Sequence, residues 1–150
     1  MLQHVIDAVR ASGLPYHVED VGHPGMGDSV AAAVRATPDA CGWLILPGDL
    51  PLIQPETLQS LALKLLEPGA AHQVVVPICN GQRGHPVGFA SACRDDLMRL
   101  QGAQGAAAVV RRFVVAEVTV SDIGCITDID TVDGLKAAQA RLDERQRQIG

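Results

Sequence analysis

Apolar residues recur at helical spacing over residues 2–12, where Leu2, Val5, Ile6 and Val9 share a side and Ser12-Gly13 with Pro15 supplies a stop. The chain is therefore expected to open on a helix. Tyr16 to Val21 alternates weakly and predicts a short strand near a sheet edge. Gly22 to Ser29 reads as a glycine-rich loop, and Val30 to Ala36 as an alanine-rich helix that Thr37-Pro38-Asp39 breaks. Trp43 to Leu46 is a compact apolar run, a buried strand feeding the loop Pro47-Gly48-Asp49-Leu50-Pro51. Pro55 to Glu67 predicts a helix with Pro55 in its first turn, Leu58, Leu61, Leu65 and Leu66 on one side, and a Pro68-Gly69 stop.

Gln73 to Cys79 is a second apolar strand, and its continuous valine and isoleucine suit a sheet covered on both faces. Asn80 to Pro86 follows as a loop, with Val87 to Ala90 as the return arm of a hairpin. Helices over Cys93 to Leu100 and Ala106 to Arg112 flank a small-residue segment at Gly102 to Gly105. Val114 to Val120 predicts another strand, Ser121 to Thr127 a connection, and Thr131 to Gln148 a closing helix. Alternating helices and strands predict a three-layer α/β domain with a mostly parallel sheet, one domain over residues 1–150.

Composition narrows the function classes. Hydrophobic residues at 47% and charged residues at 19% exclude a disordered chain, and the scarcity of aromatics leaves Ala, Val, Leu and Ile to build the core. A net charge of −5 argues against a nucleic-acid or membrane-surface binder, which needs a basic face, while leaving room for one small anionic ligand. No run approaches the roughly 18 apolar residues of a spanning helix, and no signal peptide is seen. Cys41, Cys79, Cys93 and Cys125 form no CxxC pair and have no His at zinc-ligand spacing. Buried free thiols in a reducing cytoplasm are expected.

Candidate chemistry gathers in loops. Gly25-Met26-Gly27-Asp28-Ser29 opens a helix, where free N–H groups favour an anion and glycines admit a ligand to the backbone; an N-cap by Asp28 or Ser29 after a flexible turn is the simpler and favoured explanation. Asp49 lies just past a strand, where an open α/β sheet collects ligands and a carboxylate can hold Mg²⁺ beside substrate phosphates; capping a turn before the helix at Pro55 explains it equally. Asp128 and Asp130 share a side if their segment is extended, and either supplies a second acid; Asp130 serves as readily as a helix cap. His85, in Gly84-His85-Pro86, is a candidate acid, base or structural hydrogen-bonder. A Ser29, His85 and Asp128 hydrolase lacks the GxSxG elbow that would support it.

Gly25 to Ser29, Leu46-Pro47-Gly48-Asp49-Leu50-Pro51, Gly84-His85-Pro86-Val87-Gly88-Phe89 and Asp128-Ile129-Asp130-Thr131, in this order, resemble the MobA-like NTP transferase family, most nearly its molybdenum cofactor cytidylyltransferase branch. The resemblance implies a Rossmann-like nucleotidyltransferase fold. It also implies transfer of CMP or GMP from CTP or GTP to molybdopterin with Mg²⁺ and release of pyrophosphate. By that likeness Asp49, Asp130 and His85 would be catalytic, and Asp49 with Asp128 and Asp130 would hold the metal. Gly25, Met26, Gly27, Ser29 and Gly48 would meet the nucleotide, and the segment around His85 would line the acceptor side. The family's opening strand and its Leu-Ala-Ala-Gly-type loop with Arg and Lys have no counterpart in these residues, so an N-terminally truncated, incomplete domain is expected. The rival expectation is a non-catalytic ligand-binding or assembly module of the same descent. A homo-oligomer is compatible with either.

Overall fold

The computed structural model describes residues 2–19 and 22–128. Among the described residues, five strands form one sheet: β1 (Gly42–Ile45), β2 (Val74–Cys79), β3 (Gln82–Arg83), β4 (Val87–Ala90) and β5 (Val115–Thr119). The helices are α1 (Leu2–Ser12), α2 (Met26–Ala36), α3 (Pro55–Leu65), α4 (Arg94–Met98) and α5 (Ala107–Val110), joined by 3₁₀ turns at Ser91–Cys93 and Ile123–Cys125.

Alternation along β2 sets the layering, because successive side chains of a strand face opposite sides. Val74 and Val76 enter a core with Val30 and Val34 of α2, Trp43, Phe89, Leu97 of α4 and Val109 of α5. Val75 faces the other way, onto Leu61 and Leu65 of α3. Cys79 shares that second face with Leu58, Ile53 and Cys125, covered in part by Ala8 and Val9 of α1. Both faces of β2 are thus closed by helices, which explains its unbroken apolar run.

The sheet corrects one expectation. β5 pairs parallel with β2, but β1 pairs with β4, and β2 with β4 and β3, antiparallel. The pairing is therefore mostly antiparallel rather than mostly parallel. The cause is the return arm after β2, which inserts β4 between β2 and β1; β1, β2 and β5 still run in one direction. The arm is also bulged. From the pair Ile78 and Arg83 to the pair Val75 and Gly88 it carries two residues more than the strand it faces, and the surplus falls at Gly84-His85-Pro86.

Smaller differences have local causes. Tyr16 to Glu19 forms no strand, while residues 20 and 21 lie outside the described ones. Helix α2 begins at Met26, not Val30, with Gly25 as its N-cap residue and no side-chain cap bond, so neither Asp28 nor Ser29 caps it. Leu66 falls past the end of α3 and is 53% exposed instead of joining Leu58, Leu61 and Leu65. Cys79, Cys93 and Cys125 are buried free thiols as expected, but Cys41 is exposed. The predicted helix over 131–148 lies outside the described residues.

Candidate active site at the carboxyl edge of the sheet

The common direction of β1, β2 and β5 brings their carboxyl ends to one edge, and the pairing of Ile45 with Val87 places the start of β4 there too. Asp49 follows β1 in the turn at Gly48-Asp49 and is half-buried. His85 stands in the bulge two residues before β4, and Asp128 follows the 3₁₀ turn that comes after β5. The His85 N–H donates to the Cys125 carbonyl (2.8 Å), which docks the bulge onto the segment leading to Asp128.

Both acids act electrostatically on His85. Partial desolvation of the His85 ring pulls its pKa below the ordinary imidazole value of 6.5, and the carboxylates of Asp49 and then Asp128 pull it back up. Residues far apart in sequence therefore share one electrostatic environment at this edge. Neither carboxylate accepts a hydrogen bond from another described residue. Two free carboxylates are the hard oxygen donors a divalent cation takes when phosphate and water complete its shell. Among the described residues no three His, Cys, Asp or Glu side chains stand together as a metal site. Asp130 lies outside the described residues.

The glycine-rich segment is built differently from its simplest reading. Gly27 N–H donates to Gly102 O (2.9 Å), and Asp28 Oδ2 accepts from Gly102 N–H (3.1 Å). A Cβ at Gly25 would overlap the Gly102 carbonyl, and one at Gly27 the Gln104 carbonyl. Backbone packing alone accounts for both glycines. Met26 is 55% exposed and Ser29 half-buried at the same helix end. Gly48 faces α1, where an added Cβ would stand 3.3 Å from Leu2 Cδ1.

One residue that sequence reading passed over organises the edge. Asp122, 5% exposed, accepts hydrogen bonds through Oδ2 from Gln54 N–H (3.0 Å) and the Thr57 hydroxyl (2.7 Å), and through Oδ1 from Gly124 N–H (2.8 Å). It caps α3 from outside and ties the Asp49 loop to the Asp128 segment. At Gly124 an added Cβ would overlap Leu52 O and lie 2.7 Å from Ile53 N, so the two segments are in backbone contact. Asp-x-Gly was a visible local turn signal, but its partners are 65 and 68 residues away.

The sequence profile of the MobA-like NTP transferase domain matches residues 2–118. The chain belongs to that family. Solved structures agree on the fold. The manganese complex of Rv0371c from Mycobacterium tuberculosis H37Rv superposes with a TM-score of 0.68 at 23% identity, over 91% of this chain and 83% of that one. Molybdopterin-guanine dinucleotide biosynthesis protein A from Archaeoglobus fulgidus gives 0.61 at 18% identity, over 96% and 76%. A CMP:2-keto-3-deoxy-manno-octonic acid synthetase complexed with CTP gives 0.54 at 14%, over 94% and 77%. None of the curated protein sequences matches at a significant level. This NTP transferase-like chain thus has the Rossmann-like nucleotidyltransferase fold, with Asp49, His85 and Asp128 at the edge where that sheet class gathers ligands. No helix among its described residues is long and apolar enough to cross a membrane.

Proposed function

We propose that this chain is a nucleotidyltransferase of molybdenum cofactor biosynthesis, moving CMP or GMP from CTP or GTP to molybdopterin with release of pyrophosphate. The supporting observation is that Asp49, His85 and Asp128 lie on loops at the carboxyl edge of a MobA-like NTP transferase domain, with both carboxylates acting on the His85 ring. An oxygen of the acceptor's terminal phosphate attacks the α-phosphorus of the nucleotide. The new P–O bond forms as the bond to the β-phosphate oxygen breaks, and pyrophosphate leaves with that electron pair. The nucleophile is already anionic, so the chain's task is in-line positioning and charge control rather than deprotonation.

Asp49 and Asp128, with Asp130, are assigned to the divalent cation, Mg²⁺ in the cell. When bound, that cation neutralises phosphate charge and steadies the departing pyrophosphate. His85 lines the acceptor side from the docked bulge. Desolvation favours the neutral ring, whose Nε2–H or Nδ1–H can donate to an acceptor phosphate oxygen. Met26, Ser29 and Gly48 are assigned to the nucleotide base and sugar, with Gly25 and Gly27 shaping that helix end by packing on Gly102 to Gln104.

Mg²⁺ with CTP or GTP is expected to raise the melting temperature, and Asp49→Ala to abolish the rise. Pyrophosphate release that requires molybdopterin establishes the transferase. Binding with no pyrophosphate release for either nucleotide selects the non-catalytic ligand-binding module instead. No stabilisation by any nucleotide with Mg²⁺ refutes the site.

A further inference from the structure

We infer that Asp122 is a positioning residue for nucleotidyl transfer, holding the carboxylates of Asp49 and Asp128 at a fixed separation without touching substrate. The inference rests on the assignment of those two acids to the cation and nucleotide. Its physical basis is independent of that assignment. The Asp49 loop and the Asp128 segment leave different strands, β1 and β5, which β4 and β2 separate in the sheet. The sheet alone does not hold the two loop ends together.

Asp122 does so with both oxygens. Oδ2 takes Gln54 N–H and the Thr57 hydroxyl, on the far side of the Asp49 loop, and Oδ1 takes Gly124 N–H, four residues before Asp128. All three partners are donors, so only a carboxylate satisfies them together. An amide in its place would set its NH₂ against a backbone N–H. Thr57 is itself 4% exposed, and its hydroxyl has this one acceptor among the described residues. Cys125 O then carries the constraint to the His85 bulge through the His85 N–H (2.8 Å). One buried carboxylate thereby links all three loops of the edge.

Thr57→Val separates positioning from bulk stability, because it keeps the side-chain shape and deletes one bond to Asp122. Thr57→Ser restores the hydroxyl, and Val34→Ala, in the core on the opposite face, serves as a control for lost stability. Calorimetric titration of CTP, and separately GTP, in saturating Mn²⁺ would be run well below each variant's melting temperature. Thr57→Val is expected to weaken nucleotide binding about tenfold, the scale seen when a group orienting a metal ligand is lost. Asp122→Asn is expected to weaken it at least as much, while Thr57→Ser and Val34→Ala bind as the unaltered chain does. Equal weakening by Val34→Ala, or unaltered binding by Thr57→Val and Asp122→Asn, overturns the inference while leaving the site standing. Failure of the unaltered chain to bind either nucleotide with Mn²⁺ overturns the proposed function, and the positioning role with it.

Discussion

Replacing Asp122 by Ala removes an acceptor of three hydrogen bonds, from Gln54 N–H, the Thr57 hydroxyl and Gly124 N–H, at a site 5% exposed. A hydrogen bond to a charged group contributes about 1.5–3 kcal/mol net. Two of these bonds share one oxygen and do not add in full. The carboxylate's own desolvation offsets part of the gain, and water entering the vacated space recovers part of the loss. The expected destabilisation is therefore about 3–5 kcal/mol, below the sum of three separate bonds. For a 150-residue chain, an unfolding entropy of roughly 2.1 cal/mol/K per residue converts this to a fall of about 10–15 °C in melting temperature. Circular dichroism melts and denaturant titration at one pH check both figures. A fall under about 3 °C, equivalent to roughly 1 kcal/mol, would show that Asp122 does not hold the two loops together.

The other predictions address the site and its supports. Imidazole titration followed by NMR should place His85 below 6.5, and Asp49→Asn or Asp128→Asn should lower it further, since each carboxylate holds it up; an unchanged value in both variants refutes their proximity. Because the folded pKa lies below the unfolded value, the unfolded chain takes up the proton first. Stability from this group is thus complete above pH 6.5 and declines as pH falls through the folded pKa, a slope that His85→Gln should remove from pH-dependent melts. Gly27→Ala must displace the Gln104 carbonyl and lies 2.9 Å from Gln101 O, so a loss of about 2 kcal/mol or more is expected in denaturant titration, with no loss refuting the packing. A thiol reagent should label Cys41 rapidly in the folded chain. Cys93 and Cys125, whose pKa values burial pushes up to about 11 and about 12, should react only on unfolding, which mass spectrometry can count.

Local pattern was enough for the helices and strands whose burial is simple. The alternation of Val74, Val75 and Val76, the stop at Pro68-Gly69 and the helical spacing of Leu58, Leu61 and Leu65 each state a preference that packing then satisfies. The motif order was likewise enough for the family, and it marked Asp49, His85 and Asp128 as residues to watch. Strand partners were not legible in the same way, because β4 reads equally well beside β2 alone or between β2 and β1. Only closure of both sheet faces selects the second arrangement and makes the pairing mostly antiparallel. Gly25 and Gly27 suggested a ligand approach from composition, yet the Gly102 to Gln104 backbone occupies that space. Asp122 shows the limit most clearly. Its local turn was written in Ser121-Asp122-Ile123-Gly124, whereas its bonds to Gln54 and Thr57 exist only once β1 and β5 bring their carboxyl ends to one edge. Sequence settles what a segment prefers within a few turns of chain, and tertiary structure decides which distant donor fills a buried acceptor, because that pairing is set by burial and strand direction, not by neighbours in the chain.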